Sequence, residues 1–226
     1  MIKNNFNIMH FLGMLLLTVM LCDAVTAYKW IDMPWGYTSA CAFVAPFWFI
    51  ISDIVTEVYG KKISQQFLLA AIVCEIIFCF SCYALIQLPS PTFWNHQQDF
   101  NMVLGHLPRI FISSYLAILI SGYLNIYFLS KWKVLLKGRY FWLRSIGASC
   151  IGECIYTIIA IFCMFYGKMN FSGLLETIFW SYVIKIACTV LLATPANLVC
   201  LILKKPEATY HFANPFAGAC EWKRER

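Results

Sequence analysis

Charged side chains are scarce in this chain of 226 residues, because Lys, Arg, Asp and Glu together make up only 12% of it. Hydrophobic residues account for 61%, and the mean hydropathy is +0.71. A soluble globular domain carries about 25% charged residues. The composition therefore excludes an ordinary soluble domain and indicates a protein whose surface faces lipid.

The chain also lacks the short motifs that nucleotide-hydrolysing and hydrolytic enzymes use. It has no phosphate-binding loop of the Walker A type, no G-x-S-x-G turn and no H-E-x-x-H zinc helix. His96 and His106 lack metal-ligand spacing, and the eleven cysteines are scattered, so most of them are interpreted as small apolar residues. Cys79 and Cys82 form a lone C-x-x-C inside an apolar segment. No catalytic residue, metal or cofactor is expected.

Apolar segments recur six times, each near the roughly 20 residues that a helix needs to cross a bilayer. The fold class is therefore predicted to be all-α, a polytopic membrane protein with six transmembrane helices in a single domain over residues 1–226. The first segment shows no small-residue cleavage pattern and is predicted to be retained. The predicted spans are residues 7–28, 37–59, 64–88, 109–129, 145–166 and 175–203, followed by a short tail at 204–226.

Basic residues fall mostly in alternate loops, and such residues are retained on the cytoplasmic side. The basic residues assigned to the inside are Lys3, Lys61, Lys62, Lys131, Lys133, Lys137, Arg139, Arg144, Lys204, Lys205, Lys223, Arg224 and Arg226. Both termini are therefore predicted to be cytoplasmic. The net charge of +6 follows from this pattern, so the loop near residues 131–144 is expected to meet anionic lipid and not nucleic acid.

Two carboxylates stand four residues apart near the end of the second span, at Asp53 and Glu57. On a helix they share one face, and a carboxylate in the bilayer core costs roughly 2.5 to 3.5 kcal/mol. That face is therefore expected to meet protein or a water-filled cavity. The alternative is an interfacial pair bound to Lys61 and Lys62.

Further charged residues lie at similar depth in other spans, at Glu75, Glu153 and Lys185. Lys185 is expected to pair with Glu75 or Glu153, because a lysine at the bilayer midplane needs a partner. Glu75 alone is equally compatible with helix packing, and Arg109 with an interfacial anchor. Trp48 lies in mid-span, where it either packs against a helix or stacks on a flat ligand.

The stretch from Ser52 to Lys62, Ser-Asp-Ile-Val-Thr-Glu-Val-Tyr-Gly-Lys-Lys, resembles the signature of the queuosine-precursor transporter family, also known as a vitamin-uptake-type family. Pro108-Arg109-Ile110 with Ser113-Ser114, Arg144-Ser145, and Tyr182 with Lys185 resemble later helices of that family. Other positions depart from its pattern. These departures are Gly122 and Asn125 in the fourth span, Glu153 and Tyr156 in the fifth, and Ser181 in the sixth.

The resemblance implies a carrier similar to the six-helix substrate-binding subunits of energy-coupling-factor transporters, in the bacterial inner membrane. Its substrate would be a 7-deazaguanine base such as preQ0 or preQ1, or queuine. A carboxylate accepts from the adjacent N–H groups of a guanine-like edge. The implied substrate-binding residues are Asp53, Glu57, Arg109, Ser114, Asn125, Glu153, Tyr156, Lys185 and Trp48.

Two other functions compete with autonomous transport. The first is an intramembrane enzyme that uses Asp53 and Glu57 as an acid and base pair, which the missing nucleophile and metal ligands disfavour. The second is a substrate-binding subunit that needs an energising partner, and a homo-oligomer also stays open. With no nucleotide-binding motif, the energy source is expected to be an ion gradient or facilitated diffusion with trapping.

Overall fold

The computed structural model describes the backbone of residues 2–91 and 93–204, and the side chains of residues 8–91 and 93–203. Most of the predicted tail at 204–226 lies outside these residues. Seven helices follow one another along the described chain: α1 Ile2–Thr26, α2 Cys41–Tyr59, α3 Lys61–Ile86, α4 Gln97–Leu104, α5 Leu107–Leu135, α6 Phe141–Phe165 and α7 Phe171–Lys204.

Within the described residues, six helical segments are long and apolar enough to cross a membrane, which confirms the predicted helical class and the number of spans. They are α1, α2, α3, α5 together with the short α4, α6 and α7. Exposed large hydrophobic side chains such as Phe80, Ile112 and Leu191 lie on the outside of the bundle. This is the arrangement expected when lipid is the solvent.

The predicted limits of the second span are wrong at its start. Residues 30–39 form a small antiparallel ribbon with strands β1 Trp30–Met33 and β2 Gly36–Ser39, and α2 begins only at Cys41. Trp30 pairs with Ser39 in this ribbon, and the Ser39 hydroxyl donates to the carbonyl oxygen of Ala27 at 2.6 Å. The ribbon therefore closes directly onto the end of α1.

The connections between helices define two ends of the bundle. The hairpin end contains residues 27–40, 87–106 and 166–170, and the basic end contains Gly60, residues 136–140 and the end of α7. Gly60 alone separates α2 from α3, with φ of 90°, a conformation that glycine adopts at little cost. The helices consequently run up and down between the two ends.

Close packing of α6 against α2 and α5 depends on Gly152. A Cβ atom at this position would lie 2.9 Å from the Phe49 ring and 3.1 Å from Cβ of Asn125. Because glycine has no side chain, the three helices meet at this level. Polar residues of α6 on either side of Gly152 are thereby brought against α2 and α5.

Candidate functional site

A group of buried polar and aromatic side chains lies between the helices, and we call it the polar cluster. Its core is Tyr156 of α6, whose hydroxyl donates to Oδ2 of Asp23 on α1 at 2.7 Å. The Trp48 ring of α2 lies edge-on to the Tyr156 ring at 5.8 Å, and the Lys185 ammonium of α7 lies 4.3 Å from its centroid. The members of the polar cluster are Asp23, Trp48, Glu75, Tyr115, Glu153, Tyr156 and Lys185.

The acidic members of the polar cluster interact through space. Glu75 feels the charge of Asp23, and Lys185 acts electrostatically on both Asp23 and Glu153. The expected direct pairing of Lys185 with Glu75 or Glu153 is not what the structure shows. Nζ of Lys185 donates to the Thr157 hydroxyl at 3.0 Å, and Glu153 accepts from Thr189 at 2.7 Å.

Several buried polar atoms of the polar cluster have no hydrogen-bond partner among the described residues. They are Oδ1 of Asp23, Nε1 of Trp48, Oε2 of Glu75, the Tyr115 hydroxyl and Oε2 of Glu153. Buried polar atoms are normally paired, and each unpaired one costs free energy. A concentration of unpaired acceptors and donors beside aromatic rings is typical of a site that binds a polar, flat ligand.

Asp53 forms a second polar centre, one helical turn from Glu57 toward the middle of α2. Its Oδ1 accepts from Nδ2 of Asn125 on α5 at 2.6 Å, and its Oδ2 accepts from the hydroxyls of Ser145 and Ser149 on α6, the latter at 3.2 Å. Asp53 is fully buried, as are both serines. Three helices are therefore joined at one carboxylate.

Glu57 lies nearer the basic end and binds Arg144 of α6 through two hydrogen bonds. Nη1 and Nη2 of Arg144 donate to the two carboxylate oxygens at 3.0 and 3.1 Å, and both side chains are fully buried. Nζ of Lys133 lies 3.7 Å from Oε2 and donates to the Glu57 carbonyl. The ion pair of Glu57 is thus with residues of α5 and α6 and not with the neighbouring Lys61 and Lys62.

The structure brings together some of the predicted site residues and separates others. Trp48, Glu153, Tyr156 and Lys185 belong to the polar cluster, while Arg109 lies at the hairpin end. Arg109 is exposed and donates to the carbonyl oxygens of Cys163 and Tyr166.

The remaining predicted residues lie elsewhere along the bundle. Asp53 and Asn125 form a hydrogen bond in the second polar centre, and Glu57 belongs to the ion pair nearer the basic end. Ser114 is buried on α5, one residue from Tyr115 of the polar cluster.

Sequence reasoning missed several residues of both centres. The predicted site residues do not include Asp23, Tyr115, Arg144 or Ser145, although Arg144 and Ser145 belong to a stretch that resembles the family. A signal existed for Ser145 and Ser149, because two serines four residues apart share a helix face. No pattern in the sequence joins Asp23 to Tyr156, which are 133 residues apart.

In the part of the chain that the structure describes, six apolar spans around buried, partly unpaired polar groups define a multi-pass α-helical membrane protein with an interior polar site. The chain belongs to the family described as "Putative vitamin uptake transporter", whose model matches residues 39–200. This match includes the stretch at 52–62 and most of both polar centres. A search of curated proteins and a search of solved structures each found no match.

Proposed function

We propose that this protein imports a queuosine precursor, a 7-deazaguanine base such as preQ0 or preQ1, across the bacterial inner membrane. The observation that carries the proposal is the set of unpaired buried polar atoms beside the rings of Trp48 and Tyr156. Membership of a transporter family supports movement of a solute in preference to its chemical conversion.

The polar cluster matches the chemistry of such a base. A guanine-like edge presents adjacent N–H donors, which the unpaired oxygens of Asp23, Glu75 or Glu153 can accept. The Trp48 and Tyr115 donors suit the carbonyl and ring nitrogen acceptors on the other edge. One face of the Trp48 ring already stacks on Phe49 at 3.8 Å, and Lys185 lies over one face of the Tyr156 ring, so a flat base would stack on the other face of either ring.

Aminomethyl-bearing preQ1 is a cation, and Glu153 is the acid that we propose to recognise it. Oε2 of Glu153 is unpaired, while Oε1 already accepts from Thr189. A free carboxylate oxygen in a buried place is a strong acceptor for an ammonium group. This assignment separates preQ1 from preQ0, whose substituent is uncharged.

The enzyme alternative receives less support from the geometry. An acid and base pair at Asp53 and Glu57 would need both carboxylates to reach a substrate. Glu57 has both oxygens bound to Arg144, and Asp53 has both oxygens bound to donors of α5 and α6. Transport through the polar cluster does not require Asp53 or Glu57 to contact the substrate.

Cell uptake tests the proposed function. Cells without their own importer and without their own synthesis receive labelled preQ0, preQ1 or queuine, with the wild type beside Asp23→Asn and Lys185→Ala. We expect wild-type uptake of at least one base and loss of that uptake in both variants. Asp99→Asn is the matched control, because Asp99 is exposed on α4 and pairs only locally with His96.

Absence of uptake of every base, with the protein shown to be in the membrane, would overturn the assigned substrate class. Purified protein in liposomes then addresses partners. Exchange of labelled base by the protein alone would show that no energising subunit is needed for the binding and translocation steps.

A further inference from the structure

We propose that Asp53 is a proton-binding residue that couples import to the entry of protons, an inference that rests on the proposed function. Asp53 is fully buried, and every donor to its carboxylate is an uncharged amide or hydroxyl group. A buried carboxylate without a cation is unfavourable unless it is protonated part of the time. Buried acids of this kind in transporters serve as proton relays.

The contrast with Glu57 sharpens the assignment. The two acids share one face of α2, yet Glu57 has the guanidinium of Arg144 at 3.0 Å and the ammonium of Lys133 at 3.7 Å. Among the residues that the structure describes, Asp53 has no such ion pair. Glu57 is therefore a permanently paired structural charge, and Asp53 is the acid whose charge is free to change.

Asn125 is equipped to serve both states of Asp53. Its Nδ2 donates to the carboxylate, while its buried Oδ1 has no partner among the described residues. Rotation of the amide by half a turn presents Oδ1 to a protonated carboxyl group, which then donates. The hydroxyls of Ser145 and Ser149 likewise donate or accept. The surroundings of Asp53 therefore need no large movement when it gains or loses a proton.

A proton fits this centre better than a metal ion. Sodium sites in carriers draw ligands from unwound helix backbone. Here α2, α5 and α6 run without interruption past Asp53, so the carbonyl groups beside Asp53 remain in helical hydrogen bonds, and Pro46, which lacks an N–H, lies about two turns away along α2. The described residues also contain no group of three His, Cys, Asp or Glu side chains that could hold a metal.

Charged groups on the surrounding helices connect Asp53 to the polar cluster. Asp53 and Glu153 interact electrostatically, and Glu153 in turn interacts with Lys185. Glu57 also acts on Asp53 from the same helix. The buried charged groups on the helices around Asp53 are Asp23 of α1, Glu57 of α2, Glu75 of α3, Arg144 and Glu153 of α6, and Lys185 of α7, and the partly exposed Lys133 of α5 lies beside Glu57.

This chain of interactions explains how occupancy of the polar cluster influences the proton. A neutral base such as preQ0 that donates to Glu153 stabilises its ionised carboxylate, and the negative charge retained there favours the protonated form of Asp53. The affinities of the two sites are then linked, and linkage is reciprocal. One proton taken up by Asp53 from the outer side is released on the inner side after the substrate has left.

Two assays on purified protein in liposomes separate coupling from binding. Counterflow of labelled preQ0 without any gradient reports translocation, and accumulation of preQ0 under an inward proton gradient reports coupling. We expect the wild type to perform both. Asp53→Asn is expected to keep counterflow and to lose accumulation, so that internal preQ0 reaches only its external concentration.

Controls keep the result decisive. Asp99→Asn, the same substitution at an exposed site, should retain both activities, and Asp53→Glu should retain part of the accumulation. Accumulation by Asp53→Asn would overturn the proposal, as would its loss of counterflow while still folded. Accumulation by the wild type under a sodium gradient, and not under a proton gradient, would overturn the choice of proton.

A measurement without substrate distinguishes failure of this inference from failure of the proposed function. The infrared carbonyl band of a protonated carboxylic acid, taken as wild type minus Asp53→Asn, should change intensity as the pH changes. If preQ0 and preQ1 both fail to exchange but this band titrates, the substrate class is wrong and Asp53 still binds a proton. A band that does not respond to pH overturns the inference.

Discussion

Arg144 neutralises a carboxylate that would otherwise be an isolated charge inside the bundle. It makes two hydrogen bonds to Glu57 and donates to the carbonyl oxygen of Arg139 in the turn before α6. Breaking a buried pair by removing one partner costs about 3–5 kcal/mol. We therefore expect Arg144→Gln to lower the free energy of unfolding by about that amount, measured by chemical unfolding in detergent.

The double variant Glu57→Gln with Arg144→Gln supplies the control, since it removes both charges and should recover much of the loss. Lys133→Ala should have a smaller effect, because the Lys133 side chain is 31% exposed and its ammonium lies farther from Glu57. Equal losses in all three variants would contradict the account of Glu57 as a charge held by Arg144.

Glu153 offers a test of substrate discrimination at a single residue. Loss of a charge-assisted hydrogen bond is worth about 1.5–3 kcal/mol, or roughly tenfold or more in affinity. We expect Glu153→Gln to weaken uptake of cationic preQ1 by about that factor relative to preQ0. Competition between the two labelled bases in cells measures the ratio. Glu176→Gln, at an exposed position of α7, is the control.

An unchanged ratio of preQ1 to preQ0 uptake in Glu153→Gln would contradict a role of Glu153 in substrate recognition.

At the scale of single residues, the sequence predicted which residues are unusual better than it predicted what they contact. Asp53, Glu57 and Lys185 are unusual because a charge inside an apolar run stands out. Arg144 as the partner of Glu57 was not predictable, since 87 residues separate them and only the packing of α2 on α6 brings them together.

At the scale of elements, the crossing of α6 over α2 and α5 depends on one missing side chain. Gly152→Ala would place a methyl group against the Phe49 ring and the Asn125 Cβ. Overpacking of this kind costs about 1–3 kcal/mol. We expect a lower thermal midpoint and weaker coupling to protons, because Asn125 would be displaced from Asp53.

Gly122→Ala on α5 is the matched comparison for this prediction. Its new methyl group would meet mainly the end of the Leu68 side chain, at 2.8 Å, which can rotate away more easily than a ring or a Cβ atom. A larger loss of thermal stability in Gly122→Ala than in Gly152→Ala would contradict the argument.

Helices were predictable from apolar length alone, whereas the segments at the hairpin end were not. The predicted second span includes residues 37–39 of the ribbon, because no charged residue separates Tyr37 from the apolar run that follows. The short α4 has polar residues such as Gln97 and Asp99 and no buried residue, so no periodic apolar pattern in the sequence predicts this helix. Tertiary contacts, such as the hydrogen bond between Thr38 and Ser181, determine the conformation of segments of this kind.

At the scale of the whole molecule, the distribution of basic residues predicts that the basic end is cytoplasmic. A fluorescent protein fused to the C-terminus should therefore fluoresce, and alkaline phosphatase fused there should be inactive. An epitope inserted at Asn95, at the hairpin end, should be digested by protease added to spheroplasts. The opposite pattern would invert the direction assigned to substrate and proton movement.

Helices α2 and α3 are tied together across the Gly60 turn by hydroxyl contacts, with Thr56 donating to Ser64 at 2.8 Å. These two helices are thus expected to move as one rigid unit, which carries both Asp53 and Glu57. The facing unit is α5 with α6. Two connections join the units: the hydrogen bonds of Asp53 and the ion pair between Glu57 and Arg144. Of these two connections, only the one at Asp53 changes when the proposed proton binds. Protonation would then reverse the direction of hydrogen bonds in that connection, while the Glu57 pair keeps the two pairs of helices together.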